Sequence, residues 1–463
     1  MDYKLSRLGY SIPKTEKNSN IIKEVKKELM VKPNVNTDYC LQPKPYPIYR
    51  ESLNRLYIPK HYGLKIFGAP NKTIFPKPEE INPVFKGSLR PIQQEVVETF
   101  INKKNGIICL GCGQGKTVIA INIISRIKKK TIVVVHKEFL VNQWIERINQ
   151  FLPEARIGKI QGKVFDIENK DIVIAMLQSL SQKEFDKNAF DSFGLSVSDE
   201  CHHLSAETFS KALPKIACEY TLGLSATPKR KDGLSKVFEW YLGPIIFKQK
   251  KKEIDKVYIK KIYFTCNEQS YGKEINNYLG KLNIAAMINY ISDLNVRNKL
   301  IVEQIKEIVS NENRKIIILS DRRGQLNAIQ NIIESENICT VGQYVGGMKQ
   351  KALKESESKT VILATFNMAS EAMDIPLLNT LIFGTSKSEI EQSVGRILRQ
   401  KKEDRIVEPL IIDIIDNYSI FARQAIKREK FYNKNKYIYI DDNIEQKHEK
   451  DNFIDNCEKC LID

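Results

Sequence analysis

Three short stretches of the chain hold residues whose types and spacing could do chemistry. The first is "LGCGQGKT", residues 110–117. The β-branched run "GIICL" precedes it and the helical run "VIAINIISRI" follows, which is the order a phosphate-binding loop requires. In such a loop the backbone N–H groups of Gly113, Gly115, Lys116 and Thr117 point at phosphate oxygens, aided by the positive end of the helix dipole. Lys116 would reach the β- and γ-phosphates, and the Thr117 hydroxyl would ligate Mg²⁺. The strict pattern wants a glycine where Leu110 stands, but the strand–loop–helix order argues against a chance Gly-rich turn.

The second stretch is "LSVSDECHH", in which Asp199 and Glu200 close a buried strand. Doubly wound sheets place their chemistry at the carboxyl ends of strands. There Asp199 can hold Mg²⁺ through water, while Glu200 can orient an attacking water and accept its proton. The bland alternative is an acidic strand end facing solvent. Two adjacent carboxylates followed by two histidines, downstream of a phosphate loop, disfavour it. The third stretch is "SVGRILRQ", read as helix, where Arg396 and Arg399 share one face by their spacing of three. Such a pair is either a solvated stripe or, delivered by a second domain to a γ-phosphate, a set of arginine fingers. Spacing leaves both readings open.

These residues need elements to position them. From residue 106 to 247, "GIICL", "TIVVV", "DIVIAM", "GLSVS" and "YTLGLS" read as buried strands, alternating with helical runs such as "EFLVNQWIERINQFL". That alternation predicts a parallel sheet with helices on both faces. The rhythm returns in "KIIILS", "TVILAT", "NTLIFG" and "PLIIDII", separated by helical runs including "RRGQLNAIQNIIES". Two α/β domains follow, joined through the charged stretch "FKQKKKEIDK". The expected boundaries are an N-terminal extension over 1–85, a first domain over 86–248, a linker region over 249–290, a second domain over 291–430 and a tail over 431–463.

Composition sets outer limits. The chain has 463 residues, is 42% hydrophobic and 28% charged, and carries a formal net charge of +17. A basic excess gathers polyanions, nucleic acid above all. A Lys-rich coding bias explains the same figure, and charge does not choose between them. Nine cysteines show no framework spacing, which suits a reducing compartment. The start "MDYKLSRLGYSIPK" has no apolar signal core, and no run of 18 apolar residues occurs. The expectation is a soluble intracellular protein (cytoplasm or nucleus) with no membrane partner.

The extension, "KPYPIYRESLNRLYIPKHYGLKIFGAP", mixes Pro, Tyr and basic residues. It is either a nucleic-acid-binding module or an arm packed on the first domain, and the second reading is slightly favoured. The acidic tail from Asp441 is expected to be disordered. Its Cys457 and Cys460 lack the second pair that a zinc site needs, so no metal site is read there.

In order, "GCGQGKT", "DECH" at 199–202, "SAT" at 225–227 and "QSVGRILR" at 392–399 resemble the motifs of superfamily 2 helicases. The resemblance spans roughly residues 86–425, and in that family the first glycine of the loop is often replaced. It implies two tandem RecA-like α/β domains with a small N-terminal extension, ATP and Mg²⁺ as cofactors, and nucleic acid, DNA or RNA, as partner. Transcription or repair proteins are further expected partners. The resemblance assigns hydrolysis to Lys116, Asp199, Glu200, Gln392, Arg396 and Arg399. ATP would be held by Gly111, Cys112, Gly113, Gln114, Gly115, Lys116, Thr117 and Asp374, with Thr117 and Asp199 on Mg²⁺. "LRPIQQ" resembles the adenine-reading motif, which implies Gln93 with Arg90. Coupling would run through His202, Ser225, Ala226 and Thr227. "VVVHKEFLVNQW" and "AMLQSL" resemble strand-tracking motifs of the first domain, and "ILSDRRGQL" and "LATFNMASEAMDIP" resemble second-domain motifs that bind backbone and couple to ATP, which implies His136, Gln143, Gln178, Asp321, Arg322 and Thr365 on nucleic acid.

Within the superfamily, "LSATPKRKDGLSKVFEWYLGP" is similar to the XPB/UvsW branch and to transcript-release helicases of large DNA viruses. His202 in the fourth box position fits the DEAH/XPB-like group better than the DEAD-box group. Two departures stand out. Ala372 follows Glu371 where the family has glycine, and Lys231-Asp232 matches the XPB arginine–acid motif weakly. Two rival functions are a nuclease-coupled motor, for which the short N-terminal region leaves no room, and a nucleic-acid-binding protein with a dead ATP site. The second would need Lys116, Asp199, Glu200 or the arginines to be lost, and all are present.

Overall fold

A computed structural model of the protein describes residues 2–34, 44–111, 113–201, 206–226, 233–249, 255–310, 313–371, 373, 375–400 and 402–440. The chain divides into two compact units, Met1–Lys250 and Lys251–Asp463.

The first unit begins with a small sheet of strands β1 (Lys4–Ser6), β2 (Gly9–Pro13), β5 (Arg50–Glu51), β6 (Arg55–Ile58) and β7 (Lys72–Ile74), in the order β5-β6-β2-β1-β7. Helix α1 (Ser19–Glu28) and a two-strand ribbon of β3 (Met30–Val31) and β4 (Tyr46–Pro47) are inserted within it, and helix α2 (Lys60–Phe67) follows β6. The main sheet contains β8 (Asn105–Cys109), β9 (Thr131–Val135), β10 (Ile157–Gln161), β11 (Val164–Asp166), β12 (Ile172–Met176), β13 (Leu195–Ser198), β14 (Tyr220–Ser225) and β15 (Ile245–Lys248). Their order is β11-β10-β12-β9-β13-β14-β8-β15, and every pairing except β10 with β11 is parallel.

Side chains of a strand alternate between faces, and here the alternation sorts two cores. Ile108, Val133, Val135, Ile174, Val197 and Leu224 pack under helices α3 (Pro91–Lys103), α4 (Lys116–Ile127) and α5 (Glu138–Phe151), which contribute Phe100, Ile123, Trp144 and Ile148. Ile107, Cys109, Ile132, Val134 and Val173 face the other way. That second core is continuous with Phe209 of helix α7 (Ala206–Ala212), Phe238 of helix α8 (Ser235–Leu242), and Tyr10, Leu56 and Tyr62 of the N-terminal sheet and α2. The rings of Tyr62 and Trp240 meet edge to face at 5.3 Å. The N-terminal residues are therefore a folded module packed on the first domain, with a sheet that the Pro- and Tyr-rich sequence did not suggest.

The second unit is a seven-stranded, wholly parallel sheet of β16 (Tyr258–Phe264), β17 (Ile316–Ser320), β18 (Val341–Tyr344), β19 (Val361–Thr365), β20 (Thr380–Phe383), β21 (Leu410–Asp416) and β22 (Ile438–Ile440), ordered β18-β19-β17-β20-β21-β16-β22. Helices α9 (Ile284–Asp293), α10 (Asn295–Val309), α11 (Arg323–Ser335), α12 (Gln350–Glu357) and α15 (Ser419–Lys434) accompany it. Two segments read differently from the sequence. β16 lies inside 249–290, read as linker, yet pairs with β21 along seven residues; its lysines had hidden a strand whose Ile259 and Phe264 are buried. The stretch read as tail from 431 carries the end of α15 and β22, which pairs with β16. The acidic segment from Asp441, with Cys457 and Cys460, lies outside the described residues. Among the described residues no helix is long and apolar enough to cross a membrane.

Two buried ion pairs anchor this unit through β21. Arg297 on α10 donates from Nε and Nη2 to the Asp416 carboxylate at 3.0–3.2 Å and from Nη1 to the Gly384 carbonyl. Arg428 on α15 donates to Asp413 at 2.9 Å, and the Tyr432 hydroxyl donates to the same oxygen at 2.9 Å. Arg297 and Asp416 are both fully buried. Removing one partner of such a pair strands the other charge at a cost of about 3–5 kcal/mol. Arg297→Met should therefore lower unfolding stability by about that amount. The double change Arg297→Met with Asp416→Leu should recover most of it. Equal stability of the single variant and the parent in urea unfolding would contradict this assignment.

Candidate functional site

The carboxyl edge of the first parallel sheet gathers most of the residues singled out in the first unit. Register sets this: Cys109 of β8 lies beside Ser225 of β14, and Gly223 of β14 beside Ser198 of β13. The three strands thus end at nearly one level, and Leu110, Ala226 and Asp199 leave them together. The Leu110 N–H donates to the Ser225 carbonyl at 3.0 Å, joining the loop to the end of β14.

The loop turns through Gly113 and Gly115, both at φ +76°, a left-handed conformation that costs glycine little. Gly115 is also the residue before the first turn of α4. A Cβ there would stand 2.4 Å from Nε2 of Gln93. Gln93 is buried, and its amide works as a bracket: the oxygen accepts from Arg90 N–H at 3.0 Å and Nε2 donates to the Gln114 carbonyl at 3.0 Å. The expected base-reading residue thus sits against the loop itself, while Arg90 is exposed at the start of α3.

Lys116 opens α4 and points back across the edge. Its Nζ lies 3.4 Å from the Leu110 carbonyl and 3.2 Å from Oε1 of Glu200. Thr117 follows it, half-buried in the first turn. Glu200 has φ +44°, an uncommon conformation for a residue with a side chain, and its N–H donates to Oδ1 of Asp199 at 3.0 Å. Backbone held in this way concentrates at functional sites. Asp199 is buried, and its other oxygen accepts from the Trp144 indole N–H at 2.8 Å. Burial, reinforced by the Glu200 carboxylate, pushes the Asp199 carboxyl up; Trp144 and Lys116 pull it back in part.

Other named residues flank this edge. His136 follows β9, is buried, and accepts on its carbonyl from Gln178 Nε2 at 2.9 Å, so the ends of β9 and β12 are tied together. Gln143 lies half-buried on α5. Ser225 is buried at the end of β14 and Ala226 half-buried after it. Cys112, His202 and Thr227 lie outside the described residues, as do Lys231, Asp232, Ala372 and Asp374.

In the second unit, Asp321 and Thr365 stand at the carboxyl ends of β17 and β19. The Lys387 ammonium lies 3.1 and 3.2 Å from the two Asp321 oxygens, and Asp321 N–H donates to the Thr385 hydroxyl at 2.9 Å. Arg322 bonds the side chain of Asn289 and, at 3.2 Å, the Ala285 carbonyl, both on α9. Gln392 is on a short helix, α14 (Glu391–Val394). The arginine segment corrects the sequence reading. The helix stops at Val394, and Arg396 and Ile397 donate from their N–H groups to carbonyls three residues back, a tightened turn beginning at Gly395. Arg396 and Arg399 therefore lie beyond the helix rather than on it. Arg396 is buried with Nη1 2.5 Å from the Met373 carbonyl, and Arg399 is half-buried.

Sequence reasoning missed Trp144 and Lys387. Trp144 closes "VVVHKEFLVNQW", and a tryptophan on the helix that covers β9 and β12 was the available signal. Nothing in the sequence marked Lys387.

A carboxylate beside a lysine at the edge of a parallel sheet, reached by a Gly-turned loop, defines a nucleotide-hydrolase fold of the RecA type. Comparison with known proteins agrees and narrows it. Residues 86–230 match the family described as Type III restriction enzyme, res subunit. A protein of Acanthamoeba polyphaga mimivirus, named provisionally as an ATP-dependent RNA helicase, is 34% identical over 99% of this chain and 91% of its own length. The "DNA 3'-5' translocase XPB2" of Sulfurisphaera tokodaii is 28% identical over 74% of this chain and 85% of its own. Among solved structures, a fragment provisionally assigned to the HsdR subunit of a type I restriction enzyme from Vibrio vulnificus shares the fold, with a TM-score of 0.50, 17% identity, and 71% of this chain and 64% of that one covered. The chain belongs to the superfamily 2 helicases, in the group that includes helicases of large DNA viruses. Membership carries ATP-dependent helicase or translocase activity on nucleic acid.

The Trp144–Asp199 bond yields a test. Groups that orient a functional carboxylate typically contribute about 10–100-fold to affinity or activity. Trp144→Phe keeps the ring in its apolar seat and removes only the N–H donor. It should lower ATP turnover by about 10–100-fold with little change in melting temperature. Unchanged turnover would show that Asp199 needs no such support.

Proposed function

We propose that ATP with Mg²⁺ is hydrolysed at the edge formed by residues 110–117 and Asp199–Glu200, and that hydrolysis moves the chain along nucleic acid. The observation that carries this reading is the 3.2 Å contact between Lys116 and Glu200, made across the end of β14 by residues 84 positions apart. A structural ion pair would not need a strained Glu200 or glycines turned left-handed on either side of Gln114.

The donor set suits the cofactor. Thr117 offers a hydroxyl and Asp199 a carboxylate, the hard oxygen ligands that Mg²⁺ prefers. When bound, the ion neutralises charge on phosphate oxygens. The chain's own residues do the rest. Left-handed turns such as those at Gly113 and Gly115 are the backbone conformation in which successive N–H groups cradle an anion. Lys116, held meanwhile by Glu200 and the Leu110 carbonyl, exchanges these for phosphate oxygens. Glu200, released from Lys116, is left to orient water and accept its proton. Trp144 holds the Asp199 carboxylate in one orientation throughout. Asp321, Arg322 and Thr365 in the second unit, with His136, Gln143 and Gln178 in the first, are the proposed strand contacts. Arg396 and Arg399 are the proposed γ-phosphate groups, with Gln392 beside them.

The relatives' names point to both polymers: the mimiviral protein to RNA, the archaeal protein to DNA. ATPase stimulation by single-stranded DNA, duplex DNA and RNA at one salt concentration decides which this chain uses, because phosphate contacts make every affinity salt-dependent. Lys116→Ala should lose turnover yet keep salt-sensitive nucleic-acid binding. Glu200→Gln should bind ATP and stop hydrolysis, since an amide takes no proton from water. Loss of ATP affinity in the Glu200 variant would show that it holds the ligand instead.

Arg399→Ala separates fingers from structure. An arginine finger typically contributes on the order of 10³–10⁵ in turnover. Arg399→Ala should bind ATP almost normally and lose stimulated hydrolysis by about that factor. A loss below about tenfold would remove it from the reacting site.

A further inference from the structure

The end of the first sheet remote from the loop bears a cleft of about 500 Å³ between the N-terminal module and the first domain. Among its lining residues are Ser196 and Thr221, each second in its strand, and Lys60 of α2. Lys60 Nζ donates to Oδ1 of Asn105, the first residue of β8, at 3.0 Å and to the Glu219 carbonyl, just before β14, at 2.6 Å. The phosphate loop leaves β8 at its other end. Five residues of strand, roughly 15 Å, separate the two places.

The cleft is cationic and aromatic together. Five basic side chains line it against one carboxylate, Glu184, which pairs with Lys215. Arg7 and Lys211 pair with Asp191 and Glu207. Arg50 and Lys60 have no carboxylate partner among the described residues. Arg50 stands at the exposed rim and spends one N–H, from Nη2, on the Leu8 carbonyl at 3.1 Å. A guanidinium has five such donors and an ammonium three, so both groups keep donors to spend. Burial pulls the Lys60 ammonium down to about 8, a charge held at some expense and relieved by an anion. Tyr57, Phe75 and Tyr241 line the same cleft, and the Lys60 ammonium lies 5.7 Å from the Phe75 ring centre.

Unpaired cations recognise phosphate, and aromatic rings recognise a planar base. The volume is that of a small-ligand pocket and admits no duplex. We propose that this cleft is a second binding site for a nucleoside phosphate, filled by a free nucleotide or by the end of a nucleic-acid strand. Arg50 and Lys60 hold the phosphate and the rings of Tyr57 and Phe75 take the base. The site is independent of the hydrolytic edge.

The test is calorimetric titration of the full chain carrying Lys116→Ala with AMP, with a 5′-phosphorylated thymidine tetranucleotide and with hexaglutamate. One site per chain that depends on Arg50 and Lys60 is expected for AMP, the tetranucleotide or both, separate from the tetranucleotide's binding at the strand contacts. Arg50→Gln and Lys60→Gln should each weaken it by about tenfold or more. Should Lys60→Gln fail to fold, Arg50→Gln at the rim decides alone. Tighter binding of the tetranucleotide assigns the site to a strand end, and equal binding assigns it to free nucleotide. The proposal is overturned if neither nucleotide probe binds, if binding ignores both substitutions, or if hexaglutamate binds there in their place.

Discussion

The hydrolytic edge depends on one constraint, the parallel register that ends β8, β14 and β13 at a common level. Lys116 and Asp199–Glu200 belong to loops that never pair with each other, because β14 lies between their strands. They meet only because hydrogen-bonded neighbours cannot slide. A shift of one residue in β14 would also turn its Leu222 and Leu224 out of the core beneath α4, so the packing of that face and the geometry of the site are fixed together. Gln93 extends the same logic to the loop, which it braces from the buried end of α3.

The second unit solves a related problem with charge. β21 is buried along its whole length yet carries Asp413 and Asp416, each neutralised by an arginine from a flanking helix. These pairs locate α10 and α15 against the sheet with a directionality that leucines would lack. Arg297 also bonds the Gly384 carbonyl, which Gln325 shares, and Gln325 in turn accepts from Ser320 at the end of β17. The helices are thereby linked to the loop that carries Asp321 and Arg322.

Much of this was legible in the sequence where local pattern and global role coincide. The runs "TIVVV" and "KIIILS" are strands because both faces of a parallel sheet are covered, and the loop turns at Gly113 and Gly115 because glycine takes left-handed dihedrals at little cost. Legibility failed where tertiary context overrode local signal. Lysines at Lys260 and Lys261 disguised β16, since an alternating strand with ion pairs to Glu307 and Glu429 resembles a charged linker. Arg396 and Arg399 have helical spacing, but Gly395 and the burial of Arg396 favour a turn. Trp144 was visible as a core residue, while its bond to Asp199 depends on a contact 55 positions distant.

The place of β22 has a consequence for how the protein is made. The strand pairs Ile438 with Tyr258, some 180 residues earlier, and chains elongate at roughly 5–20 residues per second. The first unit is complete in sequence at Lys250, so it can fold while the second is still being synthesised. β16, by contrast, waits about ten to forty seconds for its outer neighbour. Between the completion of β21 and that of β22 its Tyr258–Lys260 segment is an open sheet edge on the nascent chain, and a charge such as that of Lys260 is an ordinary means of keeping such an edge from pairing with another molecule.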